Sequence, residues 1–91
     1  MPVQVRIPSV LRRQTAGAES VAFEAATLKE LLDGLGSRYE GLRGKIRGPG
    51  GEIRRFVNIY VNDSDARLLG GPAASLSDGD EVIIIPAVAG G

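Results

Sequence analysis

The sequence predicts an α+β domain in which one amphipathic helix lies across one face of a β-sheet. Three observations predict it. Val3, Val5 and Ile7 alternate with Gln4 and Arg6, the period of two that marks a strand with one buried face. Leu28, Leu31, Leu32, Leu35 and Tyr39 fall at i, i+3, i+4, i+7 and i+11, which is one apolar stripe on a helix that needs a sheet to cover it. Val82 to Ile85 is apolar at every position, the mark of a central strand with both edges paired. With 91 residues the chain suits one domain. A domain of this size buries only about 60–65% of the surface its unfolded chain exposes, so a deep active site is not expected.

The elements follow in order. Pro8 ends the first strand, and the polar stretch from Arg12 to Glu19 leads to Val21 and Phe23, which alternate with Ser20, Ala22 and Glu24 as a returning hairpin strand does. Thr27 followed by Glu30 is a capping box, so the helix starts at Leu28. Gly34 weakens that helix and Gly36 ends it. Residues 41–52, rich in glycine with Pro49 among them, read as a loop with one short helical turn around Leu42 and Ile46.

Phe56 to Val61 is a strand by β-branched and aromatic content, with Val57, Ile59 and Val61 on one face and Phe56, Asn58 and Tyr60 on the other. Asn62-Asp63-Ser64 turns the chain into a short edge strand, Asp65 to Leu68. Gly70, Gly71 and Pro72 then break it before a helical turn at Ala73 to Leu76. Asp78-Gly79-Asp80 is a tight turn into the last strand, expected in the centre of the sheet beside the first. Residues 1–85 thus form the expected domain, and 86–91 a tail ending in Gly90-Gly91.

Composition excludes several functions. Lys and Arg total 11 and Asp and Glu total 11, which leaves no excess charge to bind phosphate backbones or anionic lipid, so neither nucleic acid nor membrane is an expected partner. The chain has no cysteine and no histidine, which removes thiolate nucleophiles, thiolate and imidazole metal sites and the usual general base near neutral pH. No catalytic residue and no metal ligand is assigned, and an enzyme is not expected.

The opening MPVQVRIP enters a strand pattern at once and has no apolar segment of signal-peptide type, so a cytoplasmic location is expected. Gly48-Pro49-Gly50-Gly51 lacks the Lys-Ser/Thr ending of a phosphate loop, and Asp63 with Asp65 falls short of a calcium site. Arg12-Arg13 and Arg54-Arg55 are read as solvated surface pairs. Phe56 and Tyr60, with Ile83 and Ile85, lie opposite the core parity and form a candidate docking face for a partner.

The element order resembles the β-grasp fold of ubiquitin, a mixed sheet of four to five strands with one main helix packed across it. The resemblance narrows on the stretches Arg55-Phe56-Val57-Asn58-Ile59-Tyr60-Val61-Asn62-Asp63, Asp78-Gly79-Asp80 and Ile85-Pro86-Ala87-Val88-Ala89-Gly90-Gly91, which are similar to the MoaD/ThiS family of ubiquitin-like sulfur carriers. The opening Val5-Arg6-Ile7-Pro8-Ser9-Val10-Leu11-Arg12, the glycine-rich insertion and the tail resemble the CysO type within it, the carriers of cysteine biosynthesis in actinobacteria.

This resemblance implies a protein co-substrate whose working atom is the carboxylate of Gly91. An E1-like partner would consume ATP to adenylate Gly91, and sulfur would then convert it to a thiocarboxylate. Gly90, Ala89 and Val88 would thread the partner's channel, which glycine's freedom from Cβ sterics eases. A cysteine synthase dependent on pyridoxal phosphate would accept the sulfur, and a metal-dependent peptidase would release cysteine. The carrier itself would hold no cofactor. The alternatives are the small subunit of a molybdopterin synthase, a modifier conjugated to lysine, and an interaction domain with an inert tail.

Overall fold

The computed structural model describes residues 2–55 and 57–86. Strands β1 (Val3–Arg6), β2 (Ser20–Phe23), β3 (Val57–Val61), β4 (Ser64–Asp65) and β5 (Glu81–Pro86) form one mixed sheet in the order β2-β1-β5-β3-β4. Helix α1 (Leu28–Arg38) crosses one face. β5 is central: it runs parallel to β1, with Val5 opposite Val82, and antiparallel to β3, with Ile59 opposite Ile84. It extends one residue beyond the expected strand, to Pro86 opposite Val57. A proline without an N–H is tolerated at a strand end.

The alternating residues divide as their period requires. Val3, Val5, Val57, Ile59, Val61, Val82 and Ile84 point under the helix and are buried, together with Leu28, Leu31, Leu32 and Leu35. One half of the capping box forms, Thr27 Oγ1 accepting from the Glu30 N–H at 3.2 Å, while Glu30 Oε1 reaches one residue further back and accepts from the Ala26 N–H at 2.9 Å. Thr27→Ala is expected to cost about 1 kcal/mol in chemical denaturation. An unchanged midpoint would show that the sheet alone fixes the helix start.

Five expectations are corrected. The helix does not end at Gly36 but runs to Arg38, its i to i−4 bonding continuing to the Tyr39 N–H, which donates to the Leu35 carbonyl at 2.8 Å, while the Gly36 carbonyl accepts in addition from Arg43 Nε at 3.0 Å. Tyr39, counted on the helical stripe, is the C-cap in extended conformation and is half-buried. The chain after Pro8 is not merely a polar connection. It forms a 3-10 helix, Ser9–Thr15, whose last side chain is buried with its hydroxyl 3.0 Å from the Ala18 carbonyl and 3.2 Å from that of Arg12.

The edge strand expected over Asp65–Leu68 stops at Asp65. The Asp65 carboxylate accepts from the Arg67 N–H at 2.9 Å and starts a 3-10 turn, Ala66–Leu69, that buries Ala66. The helical turn expected over Ala73–Leu76 lies earlier, at Gly71–Ala73. Ala74 to Leu76 instead pairs with the entry to α1, the Leu28 N–H donating to the Ala74 carbonyl and the Leu76 N–H to that of Ala26, both at 2.9 Å. Ala74 and Leu76 thereby join the core.

Candidate functional site

Helix α1 occupies one face of the sheet, so the opposite parity of every strand faces outward. On β3 these residues are Asn58 and Tyr60, and on β5 they are Glu81, Ile83 and Ile85. The antiparallel register sets Tyr60 directly opposite Ile83, and Asn58 opposite Ile85. Tyr60 and Ile83 are half-buried, and Ile85 keeps 46% of its surface exposed. Three of the four candidate docking residues therefore share one outward face. The fourth, Phe56, lies outside the described residues, as do Val88, Ala89, Gly90 and Gly91.

Charged pairs flank this apolar strip on both sides. On the β1 side Arg6, registered against Ile83, lies 3.8 Å from the Glu81 carboxylate. On the β4 side the 3-10 turn after Asp65 carries Arg67 back over β3. Its Nη2 donates to Asp65 Oδ2 at 2.8 Å and to Asn58 Oδ1 at 3.1 Å, and its Nε donates to Asp65 Oδ1 at 3.2 Å. These bonds hold the Asp65 carboxyl below its usual range and push the Arg67 guanidinium up. A two-pronged pair is the geometrically specific form of an ion pair, so Arg67 is a fixed rim rather than a loose surface cation. Sequence reading missed it. The available signal was an aspartate two residues before an arginine just after a turn, which is the pattern of an Asx cap.

At the end of β5 a shallow cavity of about 330 Å³ opens between the strand and the first turn of the 3-10 helix. Arg6, Pro8, Val10, Arg12, Ile83 and Ile85 line it. Val10 is exposed over 61% of its surface, so with Ile85 it continues the apolar strip to the point where β5 stops at Pro86. Of the two basic pairs, Arg12 Nε donates to the Ile7 carbonyl at 3.1 Å and Arg54 Nε to that of Gly44 at 2.6 Å, while Arg13 and Arg55 are exposed.

Among the described residues no three acidic groups converge as metal ligands, and no helix is long and apolar enough to cross a membrane. What the arrangement can do is bind. It offers an apolar strip with polar rims.

The profile of the ThiS family matches residues 5–91. Over its whole length the chain is 46% identical to the sulfur carrier protein CysO of Mycobacterium tuberculosis, across 93 aligned residues that cover 100% of both chains. It is 35% identical over 82 residues to the small archaeal modifier protein 3 of Haloferax volcanii, covering 87% of this chain and 88% of that one. In three dimensions it matches a chain of the crystal structure of the Amycolatopsis orientalis BexX/CysO complex with a TM-score of 0.90 and 44% identity, over 98% of this chain and 99% of the other. The β-grasp fold follows from this likeness.

Proposed function

The chain belongs to the ThiS family, and from that premise we propose that it is a sulfur carrier whose loaded atom is the terminal carbonyl carbon of Gly91. The observation that carries the reading is the full-length likeness to CysO carriers. Added support comes from the central strand, which ends at Pro86 beside an outward apolar strip, with Ala87 to Gly91 following in sequence. The protein is a carrier and not a catalyst.

A carboxylate is a poor electrophile, so loading begins with activation on an E1-like partner. A Gly91 oxygen attacks the α-phosphorus of ATP, pyrophosphate leaves, and an acyl adenylate results. Sulfide then attacks the carbonyl carbon and AMP departs, leaving a thiocarboxylate; a persulfide donor instead gives an acyl disulfide, whose S–S bond a second thiol must attack, taking the donor sulfur as a disulfide and freeing the thiocarboxylate. Ionised and nucleophilic at neutral pH, this sulfur suits attack on an aminoacrylate held by a cysteine synthase dependent on pyridoxal phosphate. An S-to-N acyl shift turns the resulting thioester into an amide, and a metal-dependent peptidase hydrolyses that amide to free cysteine and restore Gly91. With no cysteine thiol in the chain, nothing of that class competes for the activated carbonyl.

Intact-mass measurement after incubation with the activating partner, ATP and a sulfur donor is expected to show one oxygen replaced by sulfur at Gly91. A chain that stays unchanged there would end the proposal. The likeness to an archaeal modifier keeps a second outcome in view, conjugates through lysine amines, which the same measurement separates by mass.

The partner's footprint is placed on Tyr60, Ile83 and Ile85. Ile83→Asp sets a charge in the middle of the strip and is expected to weaken binding to the activating partner about 30-fold, the size of a single hot-spot loss near 2 kcal/mol. Equal affinity in a titration would move the footprint elsewhere.

A further inference from the structure

Arg67 covers its own counter-ion. Asp65 keeps 18% of its side chain exposed while Arg67 keeps 67%, so the carboxylate lies beneath and the guanidinium is what an approaching surface meets.

The bonds of this pair fix which donors remain on offer. Nε and Nη2 of Arg67 are committed to the two Asp65 oxygens, and Nη2 also to Asn58 Oδ1, whereas Nη1 donates to no described residue. The same contact orients the Asn58 amide. With Oδ1 turned to the guanidinium at 3.1 Å, Nδ2 is turned away from it, and it too donates to no described residue. Asn58 is half-buried on the outward face of β3, so two donor groups, one of them charged, border the apolar strip without an acceptor among the described residues.

Their position says what approaches them. Asn58 is registered against Ile85, the outward residue of β5 nearest the tail. Gly91 follows Ile85 by six residues, a stretch that spans at most about 20 Å when fully extended. An enzyme that acts on the Gly91 carboxylate therefore brings its surface within that distance of the pair. Tyr60, in the footprint given to the activating partner, follows Asn58 by two residues on the same face of β3.

We infer that Arg67 and Asn58 together grip a carboxylate of the activating partner, an Asp or Glu at the edge of the surface that covers Tyr60, Ile83 and Ile85. This rests on the sulfur-carrier reading and its footprint. A guanidinium edge matches a carboxylate in shape and charge, and Asn58 Nδ2 adds a neutral donor beside it. Asp65 beneath holds the guanidinium in place, so little side-chain freedom is lost on binding. A carboxylate makes the contact sensitive to salt, which sets it apart from a main-chain carbonyl in the same place.

The test is the full chain carrying Asn58→Asp, titrated against the activating partner at low and at high salt. The substituted side chain still accepts from Arg67, so circular dichroism is expected to match the parent, but a negative charge replaces the donor that faces the partner. Affinity is expected to fall about 10-fold at low salt, with the gap narrowing as salt rises. Arg67→Gln keeps amide donors and removes the charge, and is expected to flatten the salt dependence of binding; it carries the test alone if Asn58→Asp does not fold. Parent affinity in Asn58→Asp, a loss equal at both salt concentrations, or an unchanged salt dependence in Arg67→Gln would overturn the proposal. A parent chain that never gains sulfur would instead sink the carrier reading, whereas a parent that is charged normally beside variants that bind as well as it does would sink the carboxylate grip alone.

Discussion

A chain ending at Gly90 is expected to take up no sulfur when mixed with the proposed activating partner, ATP and a sulfur donor, so that intact mass returns only the input protein. Deleting one residue draws the carboxylate back by up to about 3.6 Å along an extended chain. Misplacing a reacting group by about 1 Å already costs on the order of 100-fold. The same reasoning sets the expectation for Gly90→Val, which keeps the length of the tail but narrows its backbone angles: charging falls by roughly 100-fold or more. Both changes lie after β5 in sequence, so circular dichroism is expected to match the parent in both cases. Sulfur gained by the shortened chain would show that the terminus is not read by position.

The second large effect falls on stability. Ile84 is 1% exposed, sits on the central strand opposite Ile59, and packs into the core that α1 covers. Ile84→Ala removes three carbons where both neighbouring strands limit collapse, so a loss of about 3 kcal/mol is expected. In a domain whose total stability lies near 5–15 kcal/mol this is a large share. For a chain of this size it lowers the thermal midpoint by roughly 10–20 °C. Leu68→Ala is the matched control. Leu68 is 83% exposed, and its truncation is expected to change stability by less than about 0.5 kcal/mol. Equal midpoints for the two variants would mean that β5 is not the centre of the core.

The strands and the helix could be read from the sequence because their periodicities are local. Val3-Val5-Ile7 and Leu28-Leu31-Leu32-Leu35 each declare a buried face without reference to the rest of the chain. The elements misplaced were those decided by contacts distant in sequence. Gly36 looked like a helix end, and nothing near it announces that Arg43 will return to bind its carbonyl. Ala74 to Leu76 looked helical, although the donors and acceptors that extend it lie at Ala26 and Leu28.

The candidate face divides in the same way. Strand parity was enough to put Tyr60, Ile83 and Ile85 together. The Arg67 rim was not legible, because it depends on a 3-10 turn carrying the guanidinium back over Asn58. The insertion was legible only as a loop: its glycines suggest looseness, and the three apolar residues that pin it, Leu42, Ile46 and Ile53, lack a regular period.

One consequence of the strand order concerns how the protein is made. Among the described strands β5 is the last to be synthesised and the middle one of the sheet, flanked by the first strand on one side and by β3 on the other. A nascent chain that stops short of Val82 leaves β1 and β3 without their shared neighbour and the helix without Val82 and Ile84 beneath it. Such a chain has no way to complete a native core, so native folding waits until β5 has been synthesised. Quality control is thus written into the topology: an interrupted product presents no finished docking face, and the molecules that do present one have been translated through the strand that leads into the tail.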